Sequence, residues 1–97
     1  MKRLNSRIMM FALLGSLFLS ASSIYAETAE EYCNRCLTYA KQGNFTQAIS
    51  DCNKAIEINP NFAETYYDRG NDYDNQGNFS QAIFDFDETI KINPNFA

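Results

Sequence analysis

The stretch Gly43-Asn44-Phe45-Thr46-Gln47-Ala48-Ile49 returns 34 residues later as Gly77-Asn78-Phe79-Ser80-Gln81-Ala82-Ile83. Further along, Ile58-Asn59-Pro60-Asn61-Phe62-Ala63 returns as Ile92-Asn93-Pro94-Asn95-Phe96-Ala97. Set side by side without gaps, residues 29–62 and 63–96 are identical at 19 of 34 positions, so one unit is written twice. A fixed period of this size marks a stacked-repeat architecture, in which each unit buries its apolar face on its neighbour. Such chains bind through a shaped surface. Ala97 begins a third copy.

Each copy reads as two helices, which makes the fold class all-α. In the second copy, Asn61 and Glu64 have the spacing of a capping box opening the first helix. Tyr66, Arg69, Gly70 and Tyr73 then share one helical face. Gln76-Gly77 closes that helix, since Gly takes the left-handed conformation a helix end requires. Asn78, with Gln81 three residues on, starts the next helix, whose expected inner stripe is Ala82, Ile83, Phe86 and Ile90. Asn93-Pro94 stops it, because a residue before Pro avoids helical geometry. The first copy repeats the plan with Asn44, Gln47, Ala48, Ile49, Cys52, Ile56 and Pro60. The short glycine turn makes the two helices antiparallel neighbours.

The repeats do not account for the whole chain. Lys2, Arg3 and Arg7 precede an apolar run, Ile8 to Leu19, and then the small and polar Ser20-Ala21-Ser22-Ser23 and Ile24-Tyr25-Ala26. That is the layout of a bacterial secretory signal. Residues 1–26 are therefore expected to be removed after Ala26, with Ala21 and Ser23 as alternative cleavage points. The alternative is an uncleaved anchor, but the run falls short of the roughly 20 residues a spanning helix needs. No Cys directly follows the apolar run, so no lipid attachment site is expected. The expected location is periplasmic or secreted, with membrane contact only through the signal before its removal.

Residues 27–97 carry five bases (Arg35, Lys41, Lys54, Arg69, Lys91) and all twelve acids, a net charge of −7. Phosphate binding needs a basic face, so nucleic acid is excluded as a partner class. An anionic membrane surface is disfavoured for the same reason, and basic or polar partners are favoured.

Tyr66-x2-Arg69-Gly70-x2-Tyr73, then Ala82-x3-Phe86 and Pro94, resembles the tetratricopeptide repeat, and so does Tyr32-x2-Arg35-Cys36-x2-Tyr39 with Ala48-x3-Cys52, Ala55 and Pro60. The resemblance covers residues 27–97, with units at 29–62 and 63–96. Its departures are Tyr32 and Tyr66 where Trp is common, Arg35 and Arg69 where Leu is common, Thr89 for Ala, Cys36 for a small residue and Cys52 for an aromatic. It implies two tandem helix-turn-helix units in a short right-handed α-solenoid, and a non-catalytic scaffold or assembly module that binds a protein or peptide. It also implies a groove along each first helix. The matching positions are Glu30, Cys33, Leu37, Ala40 and Lys41, then Glu64, Tyr67, Asn71, Asp74 and Asn75, with Asn61 at the mouth between copies. Members that hold a C-terminal carboxylate do so with Lys and Asn. Asn71 fits one such place, but Cys33, Leu37 and Asp74 supply no positive charge, so that specificity is not expected. Gly70 and Ala82 would let the two helices of their unit approach closely, with Cys36 and Ala48 in that role in the first.

The three cysteines leave several readings open. Cys33-Asn34-Arg35-Cys36 is a C-x-x-C, but a thiol oxidoreductase needs it at a helix start after a strand, where the dipole lowers a thiol pKa. A structural disulfide is the preferred alternative: Cys36–Cys52 between the two helices, closing a loop worth about 3 kcal/mol. Cys33–Cys52, three reduced thiols and a bridge between chains remain. No His occurs, so a metal site lacks ligands and no nucleophile–His pair can form. No cofactor is expected. Asp72, Asp74, Asp85, Asp87 and Glu88 show neither a calcium loop nor facing glycosidase carboxylates, and are expected to be solvated.

Phe79, Phe84, Phe86 and Ile90 leave an apolar face on the last helix. Either the natural protein continues into further repeats and this chain is a fragment, or that face pairs with a second copy as a homodimer.

Overall fold

The computed structural model describes residues 27–96. The expected signal at residues 1–26 and the third copy beginning at Ala97 lie outside the described residues. The described residues form α1 (Ala29–Lys41), α2 (Phe45–Ile58), α3 (Ala63–Asn75) and α4 (Phe79–Ile92). The helices pair as α1 with α2 and α3 with α4, and α3 packs on both helices of the first pair. These are two tandem hairpins in an all-α solenoid.

The turns follow from the two glycines. Gly43 and Gly77 take φ of 78° and 81°. In each, the following Asn N–H reaches back to a tyrosine carbonyl (Asn44 to Tyr39, 2.9 Å; Asn78 to Tyr73, 2.8 Å), and the glycine N–H bonds Ala40 or Asp74. This double bond pattern is the Schellman closure, which needs a left-handed residue at the glycine position.

The helix starts differ from expectation. Asn61 does not cap α3: its residue before the helix is Phe62, with no side-chain cap. The Asn61 N–H instead donates to Asn59 Oδ1 at 3.2 Å, a tight turn around Pro60 that competes with the cap. Asn44 and Asn78 precede α2 and α4 but make no side-chain cap either. The one capping box among the described residues is at α1, where Thr28 Oγ1 accepts from the Glu31 N–H at 3.1 Å and Glu31 Oε1 accepts from the Thr28 N–H at 2.8 Å.

Inside the first hairpin Cys36, Ala48 and Cys52 form a buried cluster with Tyr39 and Ala40. The Cys36 and Cys52 sulfurs are joined, with Cα atoms 5.5 Å apart. In the second hairpin Gly70 faces Phe86: a Cβ built on Gly70 would lie 2.7 Å from the ring. That contact is the close approach the small residue was expected to allow. The inner stripe of α4 is Ala82, Asp85, Phe86 and Thr89 rather than one containing Ile83 and Ile90, which lie exposed. In α2 the equivalent Ile49 is buried, because α3 covers it.

Each hairpin is also joined by an arginine that donates twice to an aspartate 16 residues on. Arg35 reaches Asp51 at 3.1 and 3.3 Å, and Arg69 reaches Asp85 at 2.9 and 2.7 Å. The guanidinium of Arg35 lies over the Tyr32 ring, and that of Arg69 over the rings of Tyr66 and Tyr73. An apolar residue is usual at these two positions; here the charge is held by two N–H bonds and aromatic faces.

Candidate functional site

Three open clefts follow the first helices. The first, about 310 Å³, lies between α1 and α3 and brings together Leu37, Ala40 and Lys41 from one helix with Asn71 and Asn75 from the other. Its floor adds Cys36, Phe45, Asp68 and Asp72. The second, about 320 Å³, joins the turn at Asn61 and Phe62 to Ile92, Asn93 and Phe96, and takes in Glu64. The third, about 300 Å³, is edged by Tyr67, Asn71, Phe86 and Ile90. Tyr67 is held there by tilted ring contacts with Phe86 and Phe96, at 5.9 and 5.1 Å between centroids.

The expected groove residues thus fall into separate places. Leu37, Ala40, Lys41, Asn71 and Asn75 share one cleft. Glu64 and Tyr67 belong to the other two. Glu30 and Asp74 are exposed and line none of the three. Cys33 does not line a groove: it is buried where α3 crosses α1, and its sulfur lies 2.8 Å from Thr65 Oγ1. Burial, partly offset by that hydrogen bond, pushes the Cys33 thiol up, away from the reactive thiolate range. The second cysteine of the C-x-x-C, Cys36, is fully buried and already bonded to Cys52.

The expectation that the acids are solvated holds for Asp74 and Asp87, and fails for Asp72 and Asp85. Asp85 is fully buried against Arg69. Asp72 is 2% exposed, and Asp68 beside it 9%. Burial first, and then the neighbouring Asp68, raises the Asp72 carboxyl to about 7; burial and Glu64 raise Asp68 to about 6. Sequence reading missed this pair. The available cue is that Thr65, Asp68 and Asp72 recur at i, i+3, i+7, a second face of α3 that meets α1. The ligand-type atoms of Cys36, Cys52 and Asp72 lie within 4.8 Å of one another. With the two sulfurs bonded together, only the carboxylate keeps a lone pair suited to a hard cation.

No helix among the described residues is long and apolar enough to cross a membrane. Two hairpins of one length, closed by one glycine motif and stacked with clefts along their first helices, define a helical repeat scaffold. The family model for the tetratricopeptide repeat matches residues 29–62 and 63–96, and the chain belongs to that family. Repeats of this family generally mediate protein–protein interaction. Among curated proteins the chain is similar to the "Protein SGT1 homolog" of Oryza sativa subsp. japonica, at 41% identity over 51 residues. That match covers 53% of this chain and 14% of the rice protein.

Proposed function

We propose that this protein is an exported, non-catalytic module that binds a peptide or protein segment along the cleft between α1 and α3. The observation that carries the reading is the meeting of Leu37, Ala40, Asn71 and Asn75 at one open cleft between stacked first helices. Leu37 and Ala40 give apolar contact, and the Asn71 amide can both donate to and accept from a peptide backbone. The basic, apolar and small-residue layout of residues 1–26 supports export. So do two cysteines placed to pair, since such bonds persist in oxidising compartments. The absence of any accessible thiol in the C-x-x-C supports a non-catalytic role over an oxidoreductase.

Export is tested by N-terminal sequencing of the protein recovered from the periplasm or medium; a start near Glu27 is expected, and an intact Met1 in the cytoplasm defeats it. Binding is tested by selecting peptides from a displayed random library on the full exported chain, then repeating with Asn71→Ala and Leu37→Asp. Retention of the same peptides by both variants would sink the groove reading.

One observation favours a second surface. Phe79, Ile83, Phe84 and Ile90 are each more than half exposed on α4. On α2, where α3 packs, the counterpart Ile49 is buried and Phe45 and Ile56 are half-buried, so the occupant that fits is the first helix of another repeat. Sedimentation velocity separates the sources: a dimer that Ile83→Lys dissociates supports a second copy, and a monomer leaves the face to further repeats of a longer chain.

A further inference from the structure

Four aspartates of the described residues are buried: Asp51, Asp68, Asp72 and Asp85. Two of them, Asp51 and Asp85, each accept two N–H bonds from an arginine. Asp68 and Asp72 accept none from any N–H or O–H among the described residues. Asp72 Oδ2 lies 3.4 Å from the Cys36 sulfur, which in its bond to Cys52 has no hydrogen to donate. Buried polar groups in folded proteins almost always have a partner, so two adjacent orphans call for an explanation. Both orphans line the open cleft between α1 and α3. At the equivalent positions of the first repeat stand Asn34 and Thr38, both exposed and uncharged. The acids occur in the repeat that has a cleft in front of them.

Resting on the groove reading above, we infer that Asp68 and Asp72 form a pocket for a basic side chain, arginine before lysine, of the bound peptide. The cleft suits such a group along its whole length. Leu37, Ala40 and Phe45 offer apolar surface to the aliphatic stem, while the carboxyls meet the charged head. A guanidinium presents paired N–H groups to a carboxylate, as Arg69 already does to Asp85 in this chain. The net charge of −7 over residues 27–97 draws a basic segment toward the site.

The other charged and titratable groups around the pair are few. Glu64 on the same helix and Glu30 on α1 add negative charge, and Cys33 on α1 is held neutral. Cys36 on α1 and Cys52 on α2 are bonded. Lys41, at the end of α1, lines the cleft but makes no ion pair among the described residues. Binding therefore weakens as the medium is acidified through pH 7 to 6, where the carboxyls take up protons instead of the cation.

The experiment is a titration of the full exported chain with Ac-Ala-Arg-Ala-NH2, its citrulline analogue and its norleucine analogue, followed by NMR at the Asp side-chain carboxyl carbons and the Leu37 and Asn71 amides. The arginine peptide is expected to shift the Asp68 and Asp72 carboxyls and to bind about tenfold more tightly than the citrulline peptide at pH 7.5. Asp72→Asn, which keeps the shape and removes only the charge, is expected to abolish that preference while the protein stays folded. Equal binding of the three peptides, or a preference that survives Asp72→Asn, overturns the basic pocket and leaves the groove intact. No shift at Leu37 or Asn71 with any peptide overturns both readings. Calcium chloride reproducing the carboxyl shifts at the same concentration overturns the pocket in favour of a metal site.

Discussion

The two hairpins share a period, a glycine turn and an Arg–Asp clasp, yet they solve the space between their helices in opposite ways. The first sets two cysteines across the gap, Cys36 and Cys52. The second sets nothing against an aromatic ring, Gly70 against Phe86. Each pair fills the same gap, so volume is conserved across the pair rather than at either position. The hairpins also differ in their outer cover. Ile49 is 9% exposed beneath α3, whereas its counterpart Ile83 is 60% exposed. The same residue is therefore core or surface depending on whether a helix of the described residues covers it, as expected where stability comes from repeat-to-repeat interfaces.

The clasps give the largest test of this comparison. Arg69 is the more deeply set of the two arginines, and its Asp85 is fully buried. Burial opposes its charge most strongly, but the hydrogen bonds it donates to Asp85, together with the charge of Asp85 and the nearby Tyr73 and Tyr66, raise its pKa. Arg69→Met leaves the Asp85 carboxylate buried and unpaired, at a cost of about 3–5 kcal/mol in urea unfolding. Arg35 is more open to water and shares its guanidinium with Glu27 at 2.7 Å as well as Asp51. Arg35→Met is expected to cost clearly less, because water can reach Asp51 once the arginine is gone. Equal losses for the two variants would mean the second clasp is no deeper than the first.

The cysteine pair comes next. Reduction of the protein, or Cys52→Ala, is expected to cost about 3 kcal/mol, from the loop closed between positions 36 and 52. Mass spectrometry after alkylation without reductant should then find one modified thiol at most, at Cys33, and only after denaturation. Labelling of Cys36 in the native protein would contradict the pairing.

A smaller effect separates the repeats by pH. The Asp72 carboxyl lies near 7 in the folded chain, above the usual value near 4. The folded state therefore binds more protons than the unfolded state between those values, and stability falls as pH rises through that window. Asp72→Asn removes this dependence and is expected to gain of the order of 2 kcal/mol at pH 8, relative to its effect at pH 4. The first repeat has no equivalent, so Thr38→Ala should leave the slope unchanged.

Most of the fold was legible because its signals are local. The period, the left-handed Gly43 and Gly77, and the stops before Pro60 and Pro94 each need only a few neighbouring residues. The cleft was legible in part: Leu37, Lys41, Asn71 and Asn75 come together, while Glu30 and Asp74 stand apart. What escaped depends on how α3 lies over α1. The burial of Cys33 on Thr65 and of Asp72 beside Cys36 joins positions 32 and 36 residues apart, and no helical periodicity within one element reports that. The stripe on α4 failed for a related reason. Ile83 and Ile90 repeat an apolar pattern whose partner helix, among the described residues, exists only for α2.

The smallest test concerns how the two first helices begin. Both sequences place a hydrogen-bonding residue and an acid near the start, but only α1 closes the reciprocal bonds, through Thr28 and Glu31. At α3 the Asn59 side chain has already turned the backbone toward the Asn61 N–H, which leaves Phe62 at the cap. Thr28→Ala should therefore cost about 1 kcal/mol, read as a lower midpoint in thermal melts. Asn61→Ala should cost almost nothing, and Asn59→Ala more than Asn61→Ala, since it is the side chain of Asn59 that accepts the bond. The reverse order for the two asparagines would show that α3 is capped after all, and that the turn at Pro60 is held by proline alone.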